Sequence, residues 1–579
     1  MPQSHKISAA LMTVISAVGF YLFFALKYPY HLHFQEQYQL FEATWAYFAS
    51  VTWVPGGLAD WLGRFVTQFF YYAPLGALLL ALLLCGVQLL TFAACKEKTL
   101  FTFALSFIPS FLLVAFLCDE NALLGGIMAI LFSLAGAALC QRIRKDLVRH
   151  ITEAVLVPLL YMACGGLAVV FILISAIREG KSCGTRSIPV SLAMVLLAVL
   201  CPIVASHLFP YPLERLAYGV HYFRYHNLLP GLLWLAALGT VPVVLVSVFR
   251  CFRQKALPGV AAWLALGVLG TVLVFRTADG VKEEWMRYDF MVRMQMWNRI
   301  MMQADAKNPD NPKTVSCLNL ALAKTGRMPD SQFSYYQNGP EGLLPEFVGD
   351  HTNPMATGEI YWHLGMVNTA QRFAFEAQEA IPDFQKSARL YKRLAETNIV
   401  NGDADVARKY LKALSHTFFY RQWALETTAL LDAGEIFDHR PELARARDLR
   451  LKEHDFLFSG TEMDSMLGLL KVENSQNSMA LDYLMAWNLL RKDLDRFVEC
   501  IGMVEEPMMP KSYQEALLLR WVQTHNDFEG LPGYLAPAHA RRINSFILDM
   551  KAGKSEEKMR KDYGDTYWFY YYFRYLKGE

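Results

Sequence analysis

The first half of the chain is a series of long apolar segments separated by short polar stretches. A bilayer core about 30 Å thick needs a helix of roughly 20 apolar residues to cross it. Such segments lie near residues 7–28, 73–95, 99–117, 122–141, 151–177, 188–209, 228–249 and 258–276. We interpret the first as an uncleaved span, because no small-x-small cleavage site follows it. The pattern predicts a multipass transmembrane domain over residues 1–276.

After Arg276 the apolar residues recur every three or four positions and are interrupted by Asn, Pro, Gly and Asp. This spacing is typical of short paired helices, and no convincing strand alternation is present. We therefore expect an all-α protein, a polytopic transmembrane helical bundle (1–276) followed by a soluble α-helical repeat domain (277–579). The aromatic stretch 566–575 could dock on the membrane interface as an aromatic belt. We expect it instead to form a last helix that closes the core of that domain.

One stretch of the second half fits a tetratricopeptide-like hairpin, residues 387–417. Ala395 and Ala407 would be the small contact positions of its two helices, and Gly402-Asp403 would form the turn. Residues 297–326 and 478–501 match the same helical-hairpin pattern more weakly. The repeats have diverged too far for the units to be counted.

Basic residues beside the apolar segments predict the topology, because Lys and Arg near span ends remain in the cytoplasm. The clusters at 96–98 and 142–149 share one side if each of the first four segments crosses once. The next cluster, 178–186, shares that side only if segment 151–177 enters and returns, with a break at Gly165-Gly166. Residues 277–579 would then be periplasmic. A single crossing by 151–177 is the alternative, and it leaves them cytoplasmic.

Composition narrows the choice of function. With 54% hydrophobic and 19% charged residues, the chain is too apolar for an ordinary soluble protein, and its net charge of +2 gives no basic surface for nucleic acid. Eight of the ten cysteines lie in or beside the apolar half, without metal-ligand spacing. They are interpreted as small apolar side chains, and no metal site is assigned.

Two polar and aromatic connections, 29–72 and 210–227, are predicted to be external loops and carry the candidate chemistry. Glu36 is the first candidate for a catalytic residue, because it lies just beyond the first span, among glutamines and after His31 and His33. Its carboxylate could act as a general base or hold a divalent cation with a lipid phosphate. The alternative is a solvated interfacial residue or a helix cap, which spacing alone favours.

Further polar residues of the two loops are candidates for substrate binding. Asp60, Arg64 and Gln68 recur every four residues on one helix face, where they would line a polar cavity or where the first two would simply pair. Arg224 could bind phosphate, or it could anchor the loop among lipid headgroups. The full set of candidate substrate contacts is Gln37, Asp60, Arg64, Gln68, Glu214, His221 and Arg224.

No Walker loop, GxGxxG, HExxH or GxSxG motif occurs, which argues against a nucleotide-driven pump, a zincin or an α/β-hydrolase. Three passages instead carry a resemblance: HFQEQYQLFEAT with PGGLADWLGRFVTQFFYY, MALDYLMAWNLL, and DTYWFYYYF. The chain resembles, nearly end to end, an uncharacterised family of bacterial multipass inner-membrane proteins, a domain of unknown function. That family's membrane half is similar to the GT-C class of glycosyltransferases.

The resemblance implies a transferase that uses a polyprenyl-phosphate-linked sugar on the periplasmic side of the inner membrane. In that class an acidic catalytic residue lies in the first external loop, where Glu36 lies here; many members have Asp or an acidic pair at that place. The alternative is a non-catalytic membrane scaffold whose helical repeats bind envelope proteins. A transporter is less favoured, because no duplication of spans is visible.

Overall fold

The computed structural model describes residues 3–183, 188–220, 230–249, 255–349, 352–382, 385–451, 462–504, 509–525, 530–533 and 535–574. Every regular element among them is helical, which confirms the all-α prediction. Two compact units are present. The first comprises Met1–Glu283, Ile381–Arg389 and Lys412–Leu425, and the second contains Glu284–Ala380, Leu390–Leu411 and Glu426–Glu579.

The first unit is built from fourteen helices within its described residues. They are α1 (Gln3–Leu22), α2 (Pro29–Gln37), α3 (Trp45–Thr52), α4 (Gly57–Gln68), α5 (Ala73–Ala94), α6 (Leu100–Leu105), α7 (Ile108–Phe116), α8 (Gly125–Cys140), α9 (Asp146–Cys164), α10 (Val169–Cys183), α11 (Ile188–Leu208), α12 (Leu213–Tyr218), α13 (Gly231–Val248) and α14 (Leu257–Thr277). A π-helical turn, Phe23–Lys27, extends α1, and short 3-10 turns occur at Phe69–Tyr71 and Gly165–Ala168.

Six stretches of the described residues are long and apolar enough to cross a membrane. They are Gln3–Lys27, Ala73–Ala94, Asp146–Glu179, Pro189–Leu208, Gly231–Val248 and Leu257–Thr277. The predicted segments 99–117 and 122–141 form shorter apolar helices instead. In the first of these, the helix breaks after Leu105 and α7 begins at Ile108, with Pro109 in its first turn. Proline fits the first turn of a helix but not its interior.

The chain reverses direction inside the stretch Asp146–Glu179. Arg149 near the start of α9 and Glu179 near the end of α10 form an ion pair with 2.6 Å between Nε and Oε1, whereas a continuous helix would separate them by about 45 Å. Gly165 has φ +60°, which favours glycine, and a Cβ on Gly166 would lie 1.8 Å from the Ala217 carbonyl oxygen. The predicted hairpin break at Gly165-Gly166 is therefore confirmed.

Hydrogen bonds between helix termini show that the termini of the first unit gather at two opposite ends. At the first, the loop end, the Gly56 amide donates to the Met162 carbonyl near the end of α9 (2.8 Å). At the same end the Tyr28 hydroxyl joins α1 to α7 and α14, since it donates to the Cys118 carbonyl and accepts from the Asp279 amide. The loop end thus gathers residues 28–72 and the end of α14.

The opposite end gathers the other ends of these helices. The Gln141 side chain after α8 donates to the Ala94 carbonyl at the end of α5. The Lys96 amide donates to Ser247 Oγ near the end of α13, at 2.9 Å. The Arg149–Glu179 pair lies at the ends of α9 and α10 that are remote from their turn. The apolar helices therefore run between two ends in alternating directions.

The second half of the chain consists of shorter helices, some of whose residues belong to the first unit by the ranges given above. Its described elements are α15 (Gly280–Arg293), whose first residues belong to the first unit, α16 (Trp297–Ala306), α17 (Pro312–Lys324), α18 (Met328–Ser331), α19 (Asn353–Leu364), α20 (Val367–Ala380), α21 (Ala388–Asn401), α22 (Ala404–Ser415), α23 (Arg421–Ala433), α24 (Ile436–His439), α25 (Pro441–Leu449), α26 (Met463–Glu473), α27 (Ser478–Leu490), α28 (Leu494–Cys500), α29 (Lys511–His525), α30 (Pro537–Lys551), α31 (Glu556–Tyr563) and α32 (Tyr567–Phe573), with 3-10 turns at Gln332–Ser334, Gly339–Gly342 and Ile501–Met503.

Two predictions for this half can be compared with these helices. The turn between α21 and α22 lies at Gly402, which has φ +90°, while assignment to the tetratricopeptide class stays a prediction. The aromatic end forms α32, in which Tyr567 and Trp568 are fully buried. Trp568 donates from Nε1 to the Glu515 carbonyl at 2.7 Å. The expectation that this helix closes a core is confirmed.

Candidate functional site

Glu36 lies in the last turn of α2, directly after the first span. Proline at the first position of α2 suits a helix start. The Glu283 carboxylate accepts hydrogen bonds from the backbone amides of Tyr30 (2.9 Å) and His31 (3.0 Å), two donors that a helix start leaves unsatisfied. Glu36 itself is 1% exposed. It is therefore a buried carboxyl group, and the solvated interfacial residue favoured by spacing alone is not what the structure shows.

Gln37, the next residue, connects α2 to a distant part of the sequence. Its Oε1 accepts from the guanidinium of Arg389 at 3.0 Å, and its Nε2 donates to the His33 carbonyl at 2.8 Å. Both side chains are buried. Since a hydrogen bond to a charged donor is stronger than a neutral one, this contact fixes the end of α2 to residues 381–389.

Asp60 and Arg64 pair on the buried side of α4. Asp60 Oδ2 lies 2.7 Å from an Arg64 terminal nitrogen, and Asp60 is 1% exposed. Burial raises the pKa of the Asp60 carboxyl, and the guanidinium of Arg64 opposes that shift. Arg64 also donates to the Tyr47 hydroxyl at 3.3 Å, which in turn donates to the Leu40 carbonyl. The simple pairing considered from the sequence is therefore present, although buried rather than exposed.

Gln68, one turn further along α4, holds the non-helical stretch between α2 and α3. Its Nε2 donates to the Gln39 carbonyl at 2.6 Å. Beyond that point the Leu40 amide donates to the Lys386 carbonyl (2.9 Å) and the Ala43 amide to the His416 carbonyl (2.8 Å). These backbone bonds satisfy groups that would otherwise be buried without partners. Residues 38–44 are thus held on one side by α4 and on the other by segments from the second half of the sequence.

A close helix crossing sets the position of α4. A Cβ on Gly63 would lie 2.4 Å from the Gly125 backbone nitrogen, and a Cβ on Gly125 would lie 3.1 Å from the Asp60 Cα. Only glycine allows two backbones to approach so closely. The two glycines therefore place the Asp60–Arg64 pair against the start of α8.

Aromatic rings surround the polar network. Phe41 stacks on Phe418 with 5.7 Å between ring centroids and contacts Trp61 at 5.4 Å. Tyr71 stacks on Phe419 at 4.8 Å. Such rings remove water, which strengthens every electrostatic interaction they enclose.

His31 is buried on α2, five residues before Glu36 and beside the Tyr28 ring. Burial lowers the pKa of His31 to about 4, so the imidazole is neutral at physiological pH. A neutral imidazole can donate or accept a hydrogen bond but supplies no positive charge. His31 therefore contributes no cation for a phosphate.

The structure does not gather all the predicted site residues. Gln37, Asp60, Arg64 and Gln68 lie in the connected network described above. Glu214 is exposed on α12, which packs on α11 and the Gly165–Ala168 turn. His221 and Arg224 lie outside the described residues. In the described part of the chain, no group of three or more His, Cys, Asp and Glu side chains is arranged to hold a metal ion.

Sequence reasoning missed Arg389, Lys386 and Glu283. No local signal identifies the first two, because their contacts on Gln37 and Leu40 cross about 350 residues of sequence. Glu283 does have a signal, an acidic residue within a few positions of the last apolar segment, where charge near a membrane is informative.

Comparison with known proteins identifies a family but no characterised relative. The model of a family of unknown function, DUF6057, matches residues 3–574, which confirms the resemblance to an uncharacterised family. No curated protein and no solved structure matches the chain.

Proposed function

Because the chain belongs to the DUF6057 family of unknown function, we propose its activity from the site. The protein is a GT-C-like glycosyltransferase of the bacterial inner membrane that moves a sugar from a polyprenyl-phosphate-linked donor to a periplasmic acceptor. A non-catalytic scaffold is the alternative.

The observation that carries the proposal is the burial of Glu36. A carboxyl group that is 1% exposed and lies next to a span costs free energy unless it is neutralised or bonded. Buried ionisable groups of this kind concentrate at functional sites. Glu36 also occupies the place at which the GT-C class has its acidic catalytic residue.

In the proposed reaction Glu36 acts as a general base. It accepts the proton of the acceptor hydroxyl while the acceptor oxygen bonds to the anomeric carbon of the sugar. The bond from that carbon to the phosphate oxygen breaks, and the lipid phosphate leaves with its electron pair. Gln37 and the Asp60–Arg64 pair are positioning residues, because their contacts with Arg389 and Tyr47 hold residues 37–47 in place. Glu214, His221 and Arg224 remain proposed substrate contacts.

A divalent cation is not assigned a role. Asp60, the other buried carboxylate of the first loop, is paired with Arg64, and the described residues offer no three-ligand group. The steps above therefore use only residues of this chain.

The proposed orientation follows from the two ends of the first unit. The basic clusters 96–98 and 142–149 lie at the end opposite the loops, and this excess of positive charge favours the cytoplasm. The end that carries residues 28–72 would then be periplasmic, as would the chain that leaves α14. Alkaline phosphatase fused after residue 579 should be active, and a fused green fluorescent protein should be dark. The opposite result would contradict the orientation.

The test of catalysis is Glu36→Gln, with Glu42→Gln as the control in the same loop. Each variant is expressed in a strain that lacks the protein, and envelope glycoconjugates are compared by mass spectrometry at equal protein abundance. We expect Glu42→Gln to restore the wild-type profile and Glu36→Gln to leave it depleted at least 100-fold, since a general base contributes about 10²–10⁴-fold. A wild-type profile with Glu36→Gln would contradict the proposal.

The scaffold alternative is supported by one observation. Gln37, Arg64 and Gln68 all bind groups of this chain, which is the behaviour of a structural network. A scaffold in which the helical repeats bind envelope proteins should tolerate Glu36→Gln, so the same experiment separates the two functions.

A further inference from the structure

An apolar groove of about 580 Å³ lies between α1 and α14. Its floor is α7, through Phe111 and Val114. The volume falls within the range of sites that hold small organic molecules. Two glycines on the flanking helices, Gly19 and Gly267, have open space where a Cβ would be, so the groove exists because these positions carry no side chain.

The groove is closed at one end. Trp263 donates from Nε1 to Ser16 Oγ at 3.2 Å, a bridge from α14 to α1. From this bridge the lining continues to Phe23 on the α1 side and to Phe275 on the α14 side, both toward the loop end. At 1.5 Å per residue these stretches are about 10 and 18 Å long. Half of a bilayer core is about 15 Å thick.

The length of the groove favours a hydrocarbon chain that lies within one leaflet of the bilayer. The groove faces outward, since Val268 and Phe275 on its rim are mostly exposed in the protein alone and would contact lipid in a membrane. A long isoprenoid would extend well beyond a closed groove of this length. An acyl chain of a glycerophospholipid in the leaflet at the loop end fits it.

Two exposed cations lie at the loop end of the groove. Lys27 follows the lining residue Phe23 by four residues, about one helical turn, and Arg276 directly follows the lining residue Phe275. Three acidic groups that follow or neighbour the end of α14 already have partners. Asp279 accepts from the backbone amides of Val281 and Lys282, Glu120 pairs with Lys282, and Glu283 caps α2. Lysine and arginine at this depth attract a lipid phosphate, and arginine can bind it through two parallel hydrogen bonds.

We propose that this groove is a binding site for one anionic glycerophospholipid, with an acyl chain between α1 and α14 and its phosphate at Lys27 and Arg276. The proposal is independent of catalysis by Glu36. It requires only that the apolar helices lie in a membrane.

The test is native mass spectrometry of the full chain released from nanodiscs that contain equal amounts of phosphatidylglycerol and phosphatidylcholine. Gly19→Leu and Gly267→Leu place a side chain in the groove, and a Cβ at either position meets no atom within 4 Å. Ala261→Leu is the control, since it adds the same side chain to α14 outside the groove lining. We expect wild type and Ala261→Leu to retain about one phosphatidylglycerol per chain. Both groove variants should retain at least fivefold less.

The charged end is tested with Arg276→Gln and Lys27→Gln, which keep the groove open, and with Arg144→Gln at the opposite end as control. The first two should lose the preference for phosphatidylglycerol over phosphatidylcholine, and the control should keep it. Undiminished phosphatidylglycerol in the groove variants would overturn the proposal, as would equal retention of the two lipids by wild type. If a leucine variant does not fold, the glutamine variants decide on their own.

Discussion

Two buried glutamates of the α9–α10 hairpin should respond differently to substitution by glutamine. Glu179 on α10 is fully buried and accepts from Arg149 Nε at 2.6 Å, and its other oxygen lies 2.9 Å from His150 Nε2. Glu153 on α9 is equally buried, but neither of its oxygens has a hydrogen-bond partner among the residues that the structure describes. The two residues are thus a matched pair in one hairpin, one bonded and one not.

The magnitudes follow from what each change leaves behind. Glu179→Gln removes the buried charge that faces Arg149 and leaves that guanidinium paired with the exposed Asp146 carboxylate, at 2.7 Å. The cost should therefore lie at the lower end of the about 3–5 kcal/mol that breaking a buried ion pair costs. Glu153→Gln replaces a carboxyl that lacks partners with a neutral amide of nearly the same shape. Since burying an unbonded carboxyl is itself unfavourable, this change should be neutral or stabilising by about 1 kcal/mol.

Unfolding can be followed with a thiol-reactive dye, because the cysteines of α5 to α9, such as Cys85 and Cys164, are free and buried. A loss of 3 kcal/mol should lower Tm by at least about 6 °C, at about 2–4 °C per kcal/mol. Glu153→Gln should leave Tm within about 2 °C of wild type or raise it. Equal losses of Tm in the two variants would refute the reasoning that partners, rather than burial alone, decide the cost.

Two further predictions concern other parts of the chain. Arg389→Met should lower stability by about 1.5–3 kcal/mol, because Gln37 Oε1 loses a charged donor. The same thiol assay measures the change in Tm, with the exposed Arg421→Met as control. An unchanged Tm in Arg389→Met would show that this contact does not stabilise the fold. Burial raises the pKa of Glu515 to about 7 from 4.5, so the folded state binds the extra proton between those values, and stability should fall by on the order of 3 kcal/mol as pH rises through that window. Urea unfolding at pH 5 and pH 8 should show this slope in wild type and a flatter one in Glu515→Gln; equal slopes would contradict the assignment.

The elements that local sequence patterns determine were predictable. Long apolar segments identify most of the membrane-type helices, because only a helix satisfies its backbone in lipid. The return of segment 151–177 was predictable from charge, since basic residues on both of its flanks favour the same side. The two adjacent glycines, Gly165 and Gly166, indicated where the break would lie. The helix that begins at Tyr567 was recognisable as core because seven aromatic residues in succession cannot all face water.

The contacts that depend on tertiary packing were not predictable. The sequence marks Gln37 and Arg64 as polar residues near a membrane, but it does not reveal that Gln37 binds Arg389 or that Arg64 binds Tyr47. The same limit applies to Glu214, since its loop position suggested a shared site and the structure leaves it exposed on α12. The short lengths of α7 and α8 were not predicted, because hydropathy measures the length of an apolar segment and not where a helix starts within it. Pro109 lies in the first turn of α7, and Gly125 is the first residue of α8.

Two buried polar clusters of the first unit, the Arg149–Glu179 pair and the network beside Glu36, differ in the parts of the chain that they connect. The Arg149–Glu179 pair joins the two arms of one hairpin, so a change there should act on stability. The network beside Glu36 is bonded through Leu40 and Ala43 to the carbonyls of Lys386 and His416, more than a hundred residues after the last apolar helix. A displacement of those distant segments must move residues 38–44, because backbone hydrogen bonds about 2.9 Å long tolerate little stretching. Glu36, two residues before this stretch, is therefore positioned by the second half of the chain, whereas the hairpin is not.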